Sequence, residues 1–153
     1  MGNDGFYCPN EESTVVLAQS LAREITAPLV IGFSGDLGAG KTCFIRAMLR
    51  ELGIEGPIKS PTYALVESYE CDNFQLHHFD LYRLSDVDEL EMMGFRDFFE
   101  EDAVLCIEWP RKVSETVCPL DVELKLHTER DGRRLRFVAY NPSAERILER
   151  LSL

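Results

Sequence analysis

The sequence has a shortage of positive charge. It contains 16 Lys and Arg against 27 Asp and Glu, a formal net charge of −11. Nucleic-acid backbones are bound by surplus Lys and Arg, so this balance argues against a protein whose main surface contacts nucleic acid. Nine acids and two arginines lie between Asp80 and Asp102. That stretch is either a solvated helical face, a docking face for a basic partner or an edge that attracts metal ions.

Paired cysteines and long apolar runs are also missing. The five cysteines are odd in number and show no C-x-x-C spacing, which favours reduced thiols over disulfides or a zinc site. No apolar run is long enough to span a bilayer, and the N-terminus lacks the pattern of a secretory signal. Met1-Gly2 begins a myristoylation-like pattern, but Phe6 stands where Ser or Thr is needed. We therefore expect a cytoplasmic protein without a membrane partner.

The length of 153 residues and the 45% hydrophobic content fit one domain over residues 1–153. Asn10 is expected to cap a first helix, whose apolar residues recur at helical spacing until Pro28 breaks it. Residues 29–34 form a short apolar run, as in a strand buried on both faces of a sheet. A glycine-rich loop follows, and a second helix is expected from about Lys41 to a C-terminal cap at Gly53.

The second half of the chain predicts further strands. Residues 63–70 and 74–81 are strand-like, and the short break between them suits a hairpin. Helical turns are expected over 87–93 and 96–101, followed by a second buried strand over 103–107. Alternating segments around an Asp131-Gly132 turn predict a closing hairpin, and Pro142 begins a last helix. The sum is an α/β domain with a mixed sheet, helices on its faces and two β-hairpins.

The strongest chemical signal is a phosphate-binding loop. Gly35-Asp36-Leu37-Gly38-Ala39-Gly40-Lys41-Thr42 matches G-x-x-x-x-G-K-[ST] at every fixed position, between a predicted strand and a predicted helix. Glycines let successive backbone amides point at phosphate oxygens, and the helix N-terminus adds its free amides. Lys41 is expected to reach the β- and γ-phosphates, and the Thr42 hydroxyl to ligate Mg²⁺. This pattern predicts a P-loop NTPase.

Such a site needs an acidic group at the end of a neighbouring strand. Glu108 follows the buried run 103–107, and Asp80 lies near the end of the strand 74–81; the alternative for each is an ordinary solvated carboxylate. Trp109 is the only tryptophan and either packs at the rim or shields the phosphates beside Glu108. Ser60 and Thr62 flank Pro61, in a loop that is either a γ-phosphate-sensing switch or a plain turn.

With these residues assembled, the chain resembles the TsaE family, formerly YjeE, over nearly its whole length. The P-loop alone indicates only a superfamily, whereas its order with the other motifs is specific. The remaining carriers are Lys59-Ser60-Pro61-Thr62-Tyr63, His78-Phe79-Asp80-Leu81-Tyr82-Arg83-Leu84, Glu89-Leu90-Glu91 with Gly94, and Ile107-Glu108-Trp109-Pro110.

The resemblance implies a function that composition does not show. Members of this family are ATPases that act on the TsaB–TsaD pair, which transfers a threonylcarbamoyl group to adenosine 37 of tRNA. Carried over by position, Lys41 and the loop amides bind ATP, while Thr42 and Glu108 bind Mg²⁺. Asp80 positions the attacking water or the waters of the metal, Ser60 and Thr62 lie in a switch-like loop, and Trp109 lines the site. The tRNA is then approached only through protein partners.

Three points stay open in the sequence. Adenine recognition has no motif, although the N-terminal segment and the turn at residues 130–133 are candidates. No arginine is obviously placed to stabilise the transition state; Arg83 and Arg111 are nearest in sequence to the motif acids, so we expect slow hydrolysis that partners stimulate. The alternatives are a small-molecule kinase, for which no Arg-rich lid segment occurs, and a non-catalytic module whose docking surface is ordered by nucleotide.

Overall fold

The computed structural model describes residues 5–152, which form one seven-stranded sheet and five α-helices within that range. The strands are β1 (Phe6–Cys8), β2 (Leu29–Ser34), β3 (Val66–Glu70), β4 (Gln75–Asp80), β5 (Ala103–Glu108), β6 (Val122–Glu129) and β7 (Gly132–Ala139). The helices are α1 (Glu11–Glu24), α2 (Lys41–Glu51), α3 (Asp88–Met92), α4 (Phe95–Phe98) and α5 (Pro142–Leu148), with a 3-10 turn at Pro110–Lys112.

The sheet is mixed, with the strand order β1-β7-β6-β2-β5-β4-β3. Its four central strands, β6, β2, β5 and β4, run parallel, and the antiparallel strands lie toward the two edges. Phe33 on β2 and Asp80 on β4 both lie opposite Glu108 on β5. The carboxyl ends of these three parallel strands therefore meet at one edge of the sheet, where open α/β sheets bind their ligands.

Two apolar clusters cover the opposite faces of the sheet. Helices α1, α2 and α5 pack on one face, where Phe33 and Phe44 are fully buried. Helices α3 and α4 pack on the other face, where Phe79 contacts Phe95 edge-to-face at 5.1 Å between ring centroids. Side chains alternate along β5, so that Cys106 belongs to the first cluster and Ile107 to the second.

The predicted fold class, mixed sheet and two hairpins are confirmed. The prediction of a strand from residue 63 was wrong at its start. Residues 62–65 form a turn, in which Leu65 has a φ of 67°, so β3 begins only at Val66. In the closing hairpin the loop is one residue earlier than expected, because Glu129 lies opposite Gly132 and leaves Arg130 and Asp131 between the strands.

The sequence reading did not predict β1, whose three residues pair antiparallel with β7. None of the helices within residues 5–152 is long and apolar enough to cross a lipid bilayer. Met1 and Gly2, on which the myristoylation argument rests, and most of the N-terminal segment considered for a secretory signal lie outside the described residues.

Candidate active site

The glycine-rich loop joins the end of β2 to the start of α2. Gly35, Gly38 and Gly40 have φ values of 150°, 81° and 106°, which other residues rarely adopt. A Cβ at Gly35 would also collide with the carbonyl oxygen of Leu126. Gly40 is the N-cap of α2, and no side chain of residues 5–152 caps the first amides of that helix. These amides are therefore free to bind an anion, which the helix dipole favours.

Lys41 lies across this loop and is buried. Its Nζ donates hydrogen bonds to the carbonyl oxygens of Gly35 at 2.6 Å and Asp36 at 2.9 Å. The same Nζ lies 4.3 Å from the centroid of the Trp109 ring, within the range of a cation–π contact. Burial lowers the pKa of the Lys41 ammonium, and the negative charges of Glu108 and Asp80 oppose that shift. The lysine thus already sits where anionic oxygens would replace the loop carbonyls.

A hydrogen-bonded chain connects α2, β5 and β4. The Thr42 hydroxyl lies 3.0 Å and 2.9 Å from the two carboxylate oxygens of Glu108, the last residue of β5. His78 Nε2 lies 2.7 Å from Glu108 Oε2, and both side chains are buried. Within residues 5–152, His78 Nδ1 is a buried atom without a hydrogen-bond partner. The chain fixes the Glu108 carboxylate beside the Thr42 hydroxyl.

Asp80 ends β4 next to Glu108. One of its carboxylate oxygens accepts a hydrogen bond from the Tyr82 amide at 3.0 Å, and the other lies 3.5 Å from Thr62 Oγ1. Burial raises the pKa of Asp80, and the neighbouring Glu108 charge raises it further, while the Tyr82 hydrogen bond acts in the opposite direction. Two carboxylates of nearby strands are thus held together, as a cation-binding or proton-accepting site requires.

Ser60 and Thr62 form the rim of the site opposite the glycine loop. Their hydroxyl oxygens lie 2.7 Å apart, and Thr62 is the residue that reaches Asp80. Trp109 has a left-handed backbone with a φ of 60°, and its ring lies 5.0 Å from that of Tyr82. The turn after β5 therefore directs the indole toward Lys41 on one side and Tyr82 on the other.

These groups line one cleft of about 490 Å³. Of the residues proposed from the sequence, ten line the cleft: Leu37, Gly38, Gly40, Lys41, Thr42, Ser60, Thr62, Asp80, Glu108 and Trp109. Asp36 and Ala39 do not line it; Ala39 is buried, and Asp36 contributes its carbonyl oxygen to Lys41. Cys43 and Tyr82 line the cleft without having been proposed. Tyr82 lies within the motif of residues 78–84 that carries the family resemblance, whereas the only signal for Cys43 is that it directly follows Thr42.

The two candidate arginines have different positions. Arg83 lines the cleft, whereas Arg111 is paired outside it, with Glu123 at 2.9 Å and Glu115 at 3.2 Å. A further arginine contacts the glycine loop. Arg133 on β7 donates hydrogen bonds to the carbonyl oxygens of Ala39 at 3.0 Å and Gly38 at 3.2 Å.

A second groove of about 270 Å³ adjoins the glycine loop. Residues of three separate segments line it, and among them are Cys8, Asn10, Gly40 and Arg133. The groove therefore lies between the start of the chain, the loop and the β6–β7 turn. The start of the chain and the β6–β7 turn are the two segments that were considered for adenine recognition, and both line this groove beside the loop.

The comparisons with known proteins agree with one another. Residues 8–136 match the family model described as threonylcarbamoyl adenosine biosynthesis protein TsaE. The tRNA threonylcarbamoyladenosine biosynthesis protein TsaE of Haemophilus influenzae is 36% identical over 151 residues, which cover 95% of this chain and 96% of that protein. The protein of the same name from Bacillus subtilis is 31% identical over 144 residues, which cover 94% of this chain and 90% of that one.

A solved structure is also similar. The crystal structure of YdiB from Bacillus subtilis is 27% identical and matches with a TM-score of 0.74, over 94% of this chain and 90% of that one. Residues 8–136, which the family model matches, include the glycine loop, the strand ends with Asp80 and Glu108, and the hairpin strand segment with Arg133. The chain belongs to the TsaE family of threonylcarbamoyl adenosine biosynthesis proteins.

Proposed function

We propose that this protein is a Mg²⁺-dependent ATPase that supports threonylcarbamoyl modification of adenosine 37 in tRNA by acting on a TsaB–TsaD complex. The observation that carries the proposal is the contact between Thr42 and Glu108 beside the uncapped amides of the glycine loop. An ATP site requires amides for phosphate, a lysine and a pair of oxygen ligands for the metal. All three lie within one cleft.

Phosphate binding falls to the loop amides and Lys41. When ATP enters, the Lys41 ammonium exchanges the carbonyl oxygens of Gly35 and Asp36 for oxygens of the β- and γ-phosphates. The exchange is favourable because a buried ammonium gains more from charged oxygens than from neutral carbonyl groups. Arg133 supports the loop by donating hydrogen bonds to the carbonyl oxygens of Gly38 and Ala39.

Thr42 and Glu108 are suited to hold Mg²⁺. The ion prefers oxygen ligands at about 2.0–2.1 Å in an octahedron, so two adjacent ligands lie about 3 Å apart. The Thr42 hydroxyl lies 2.9 Å from Glu108 Oε2, so both oxygens fit neighbouring positions around one ion. Mg²⁺ would neutralise charge on the β- and γ-phosphates. His78 holds the Glu108 carboxylate in place from behind.

Hydrolysis needs a water in line with the γ-phosphorus. Asp80 lies beside Glu108 at the strand ends and accepts the proton of that water, a role that its raised pKa favours. The water oxygen forms the new bond to the γ-phosphorus as the bond from phosphorus to the bridging oxygen breaks. ADP leaves with that electron pair, and the proton passes through Asp80 to the released phosphate. Ser60 and Thr62 close the site next to Asp80.

The groove next to the glycine loop is the proposed adenine site. It is continuous with the loop through Gly38 and Gly40, and it opens between Asn10 and Arg133. A base placed there is separated by the glycine loop from Asp80 and Glu108, which line the cleft. This arrangement suits a nucleoside triphosphate, because its base and its γ-phosphate lie at opposite ends of the molecule. Its lining comes from segments distant in sequence, so no local motif records it.

The place in tRNA modification rests on the family. The relatives are named as tRNA threonylcarbamoyladenosine biosynthesis proteins over nearly the whole length of this chain. A net charge of −11 opposes direct binding to RNA phosphates. We therefore propose that this subunit acts on protein partners, TsaB and TsaD, and that those partners contact the tRNA.

The experiment compares ATP binding and turnover of the full chain with those of Lys41→Ala. We expect the variant to lose nucleotide binding or turnover, because the loop then lacks its cation. Lys125→Ala is the matched control. This lysine lies on β6, and its side chain points away from the sheet face that carries its neighbours Leu124 and Leu126. Adding TsaB–TsaD should raise the rate of the unaltered chain. Unchanged activity of Lys41→Ala, or ATP binding without any turnover, would contradict the ATPase proposal.

A further inference from the structure

Two cationic side chains line the cleft within the described part of the chain, and Lys41 is already assigned to the phosphates. The other is Arg83, three residues beyond the end of β4. Its guanidinium carbon lies 4.7 Å from the centroid of the Tyr63 ring, and its Nη2 lies 3.5 Å from the Tyr63 hydroxyl. No ion pair within residues 5–152 involves this guanidinium. The charge of Arg83 is thus held by one aromatic ring.

Tyr63 is poorly anchored for a tyrosine. Its side chain is 85% exposed, and it directly follows Thr62 in the turn over residues 62–65. This turn also carries the left-handed Leu65, and it connects the rim of the cleft to β3. A ring that is 85% exposed is easily displaced from a cation, because its movement uncovers little additional apolar surface. Any partner that captures the ring would release the arginine.

The other arginines close to the site are committed elsewhere. Arg111 donates to Glu123 and to the Tyr140 hydroxyl, outside the cleft. Arg133 is held by the carbonyl oxygens of the glycine loop and lines the adjoining groove. Of these three arginines, Arg83 therefore has the fewest contacts to lose, and among residues 5–152 it supplies the only guanidinium in the cleft that contains Asp80 and Glu108.

We infer that Arg83 is a catalytic residue that stabilises the transferring phosphoryl group, and that Tyr63 positions it away from that group until the turn over residues 62–65 moves. The inference rests on the proposed ATPase function. Negative charge spreads over the γ-phosphoryl oxygens as the bond to the bridging oxygen breaks, and a planar guanidinium donates to two such oxygens at once. Arg83 transfers no proton; the water proton still leaves through Asp80.

The test measures kcat and KM for ATP in the full chain, with and without TsaB–TsaD. Arg83→Ala should lower the partner-stimulated kcat by about 10²-fold or more, the cost of removing one transition-state donor, with little change in KM. Tyr63→Ala should raise the partner-free kcat by about two- to fivefold, which corresponds to the ~0.5–1 kcal/mol of an exposed cation–π contact. Tyr63→Phe retains the ring and loses only the 3.5 Å hydroxyl contact, so it should raise the partner-free kcat less than Tyr63→Ala does.

Binding gives a readout that does not depend on turnover. ADP with aluminium fluoride imitates the transferring phosphoryl group, so Arg83→Ala should weaken its binding while leaving the affinity for ADP alone unchanged. The unchanged ADP affinity also shows that the variant is folded. Arg96→Ala is the matched control, because this exposed arginine lies on α4, outside the cleft.

The double variant Tyr63→Ala/Arg83→Ala separates release of the arginine from general loosening of the loop. The gain from Tyr63→Ala should vanish in the double variant. A gain that persists without Arg83, or an unchanged kcat in Arg83→Ala, overturns the inference while leaving the ATPase function intact. If the unaltered chain binds ATP and never hydrolyses it, even with TsaB–TsaD, both the proposed function and the role of Arg83 are overturned.

Discussion

Glu123 on β6 is almost fully buried and still carries three polar partners. Its carboxylate accepts hydrogen bonds from Ser34 at 2.6 Å, Tyr140 at 2.8 Å and Arg111 at 2.9 Å. Burial by itself raises the pKa of Glu123, but these hydrogen bonds and the Arg111 charge outweigh it and hold the pKa below its ordinary value. The folded protein therefore binds this carboxylate in its charged form, which links stability to pH.

We expect Glu123→Gln to lower the free energy of unfolding at neutral pH by about 1–3 kcal/mol, the usual worth of hydrogen bonds to a charged group. Because the pKa of Glu123 is lower in the folded than in the unfolded protein, its charged form stabilises the fold at any pH above the unfolded pKa of about 4.3. This contribution is lost as the pH falls through the pKa of the folded state. The difference between variant and unaltered protein should therefore shrink below about pH 4.3 in urea titrations. Glu115→Gln, at an 82% exposed partner of Arg111, is the control and should change little. A difference that is constant from neutral to acidic pH would refute this linkage.

Gly132 opens β7 directly against the start of the chain. A Cβ there would collide with the carbonyl oxygen of Cys8 and would lie 2.8 Å from the Cα of Pro9. Backbone atoms cannot yield as a flexible side chain can, so β1 and the β6–β7 turn have to separate. This glycine is needed for space, whereas Gly53, with a φ of 93° and no neighbour within 4 Å of an added Cβ, is needed only for its backbone conformation.

Gly132→Ala should therefore be more destabilising than Gly53→Ala. The expected cost is about 3 kcal/mol for the collision, the upper end of the usual range because backbone atoms obstruct the Cβ, and about 1–2 kcal/mol for the left-handed alanine. Urea midpoints of the two variants give the comparison. Protection from hydrogen exchange of the β1 amides that bond to β7 should fall in Gly132→Ala alone, since only that variant displaces β1. Equal protection in both variants would contradict the packing argument.

At the scale of single residues, the sequence predicted those site residues whose position depends on their neighbours along the chain. Lys41, Thr42 and Glu108 follow from a motif and from a buried run that ends in an acid. The structure brings all three into one cleft, where Thr42 contacts Glu108. The sequence does not predict that Arg133 supports the glycine loop or that Arg83 stacks on Tyr63. Those contacts join segments that only the completed fold brings together.

Helices and strands with strong local signals have the bounds expected from the sequence. β2 spans Leu29–Ser34 as predicted, because an apolar run between Pro28 and a glycine leaves little freedom at either end. β1 was missed since three residues carry no periodic pattern, and it exists through its pairing with β7. The overlong prediction for β3 has the opposite cause: Tyr63 favours strands by its residue type, but the turn at residues 62–65 overrides that preference.

Helix α5 illustrates an element that depends on its cap. The Asn141 side chain accepts a hydrogen bond from the Ala144 amide at 2.9 Å and donates one to Asp121 at 2.7 Å. The first bond satisfies an amide at the start of the helix, and the second ties that start to the residue before β6. A helix of seven residues cannot be stable by itself, so this tie and the burial of Ile147 keep it on the sheet.

Asn141→Ala should destabilise the protein by about 1–2 kcal/mol, at the upper end of the range for a lost N-cap, because the Asp121 bond is lost as well. Thermal or urea unfolding measures the change. Ser143→Ala is a suitable control on the first turn of the same helix, since Ser143 is exposed and contacts only the Arg146 side chain. Equal effects of the two substitutions would show that the cap is not what stabilises α5.

At the scale of the whole molecule, exposed acidic residues are concentrated in α3, α4 and the following turn. Glu91 and Glu100 are exposed there without an ion pair among the described residues, and Met92 beside them is 89% exposed. Glu101 differs, because it lies 3.0 Å from His77 Nε2 and so has a structural contact. A surface of this kind attracts a basic partner and loses that attraction as salt screens it.

We predict that Glu91→Lys/Glu100→Lys weakens binding to TsaB–TsaD and makes the remaining affinity less dependent on salt. Glu55→Lys/Glu149→Lys changes the net charge equally at exposed positions outside α3 and α4 and should have little effect. Titrations of partner binding at two salt concentrations make the comparison. If both double variants bind like the unaltered protein, the acidic surface is only a solvated face.

The tie between Arg133 and the glycine loop has a consequence for how the protein is made. β2 lies between β5 and β6, and the arginine that supports its loop comes later still, on β7. During synthesis the loop emerges long before these neighbours, so it has no fixed shape until the last hairpin has left the ribosome. A chain still being translated is therefore expected to lack the supported form of the glycine loop, and a nucleotide that binds this loop would stabilise finished molecules only.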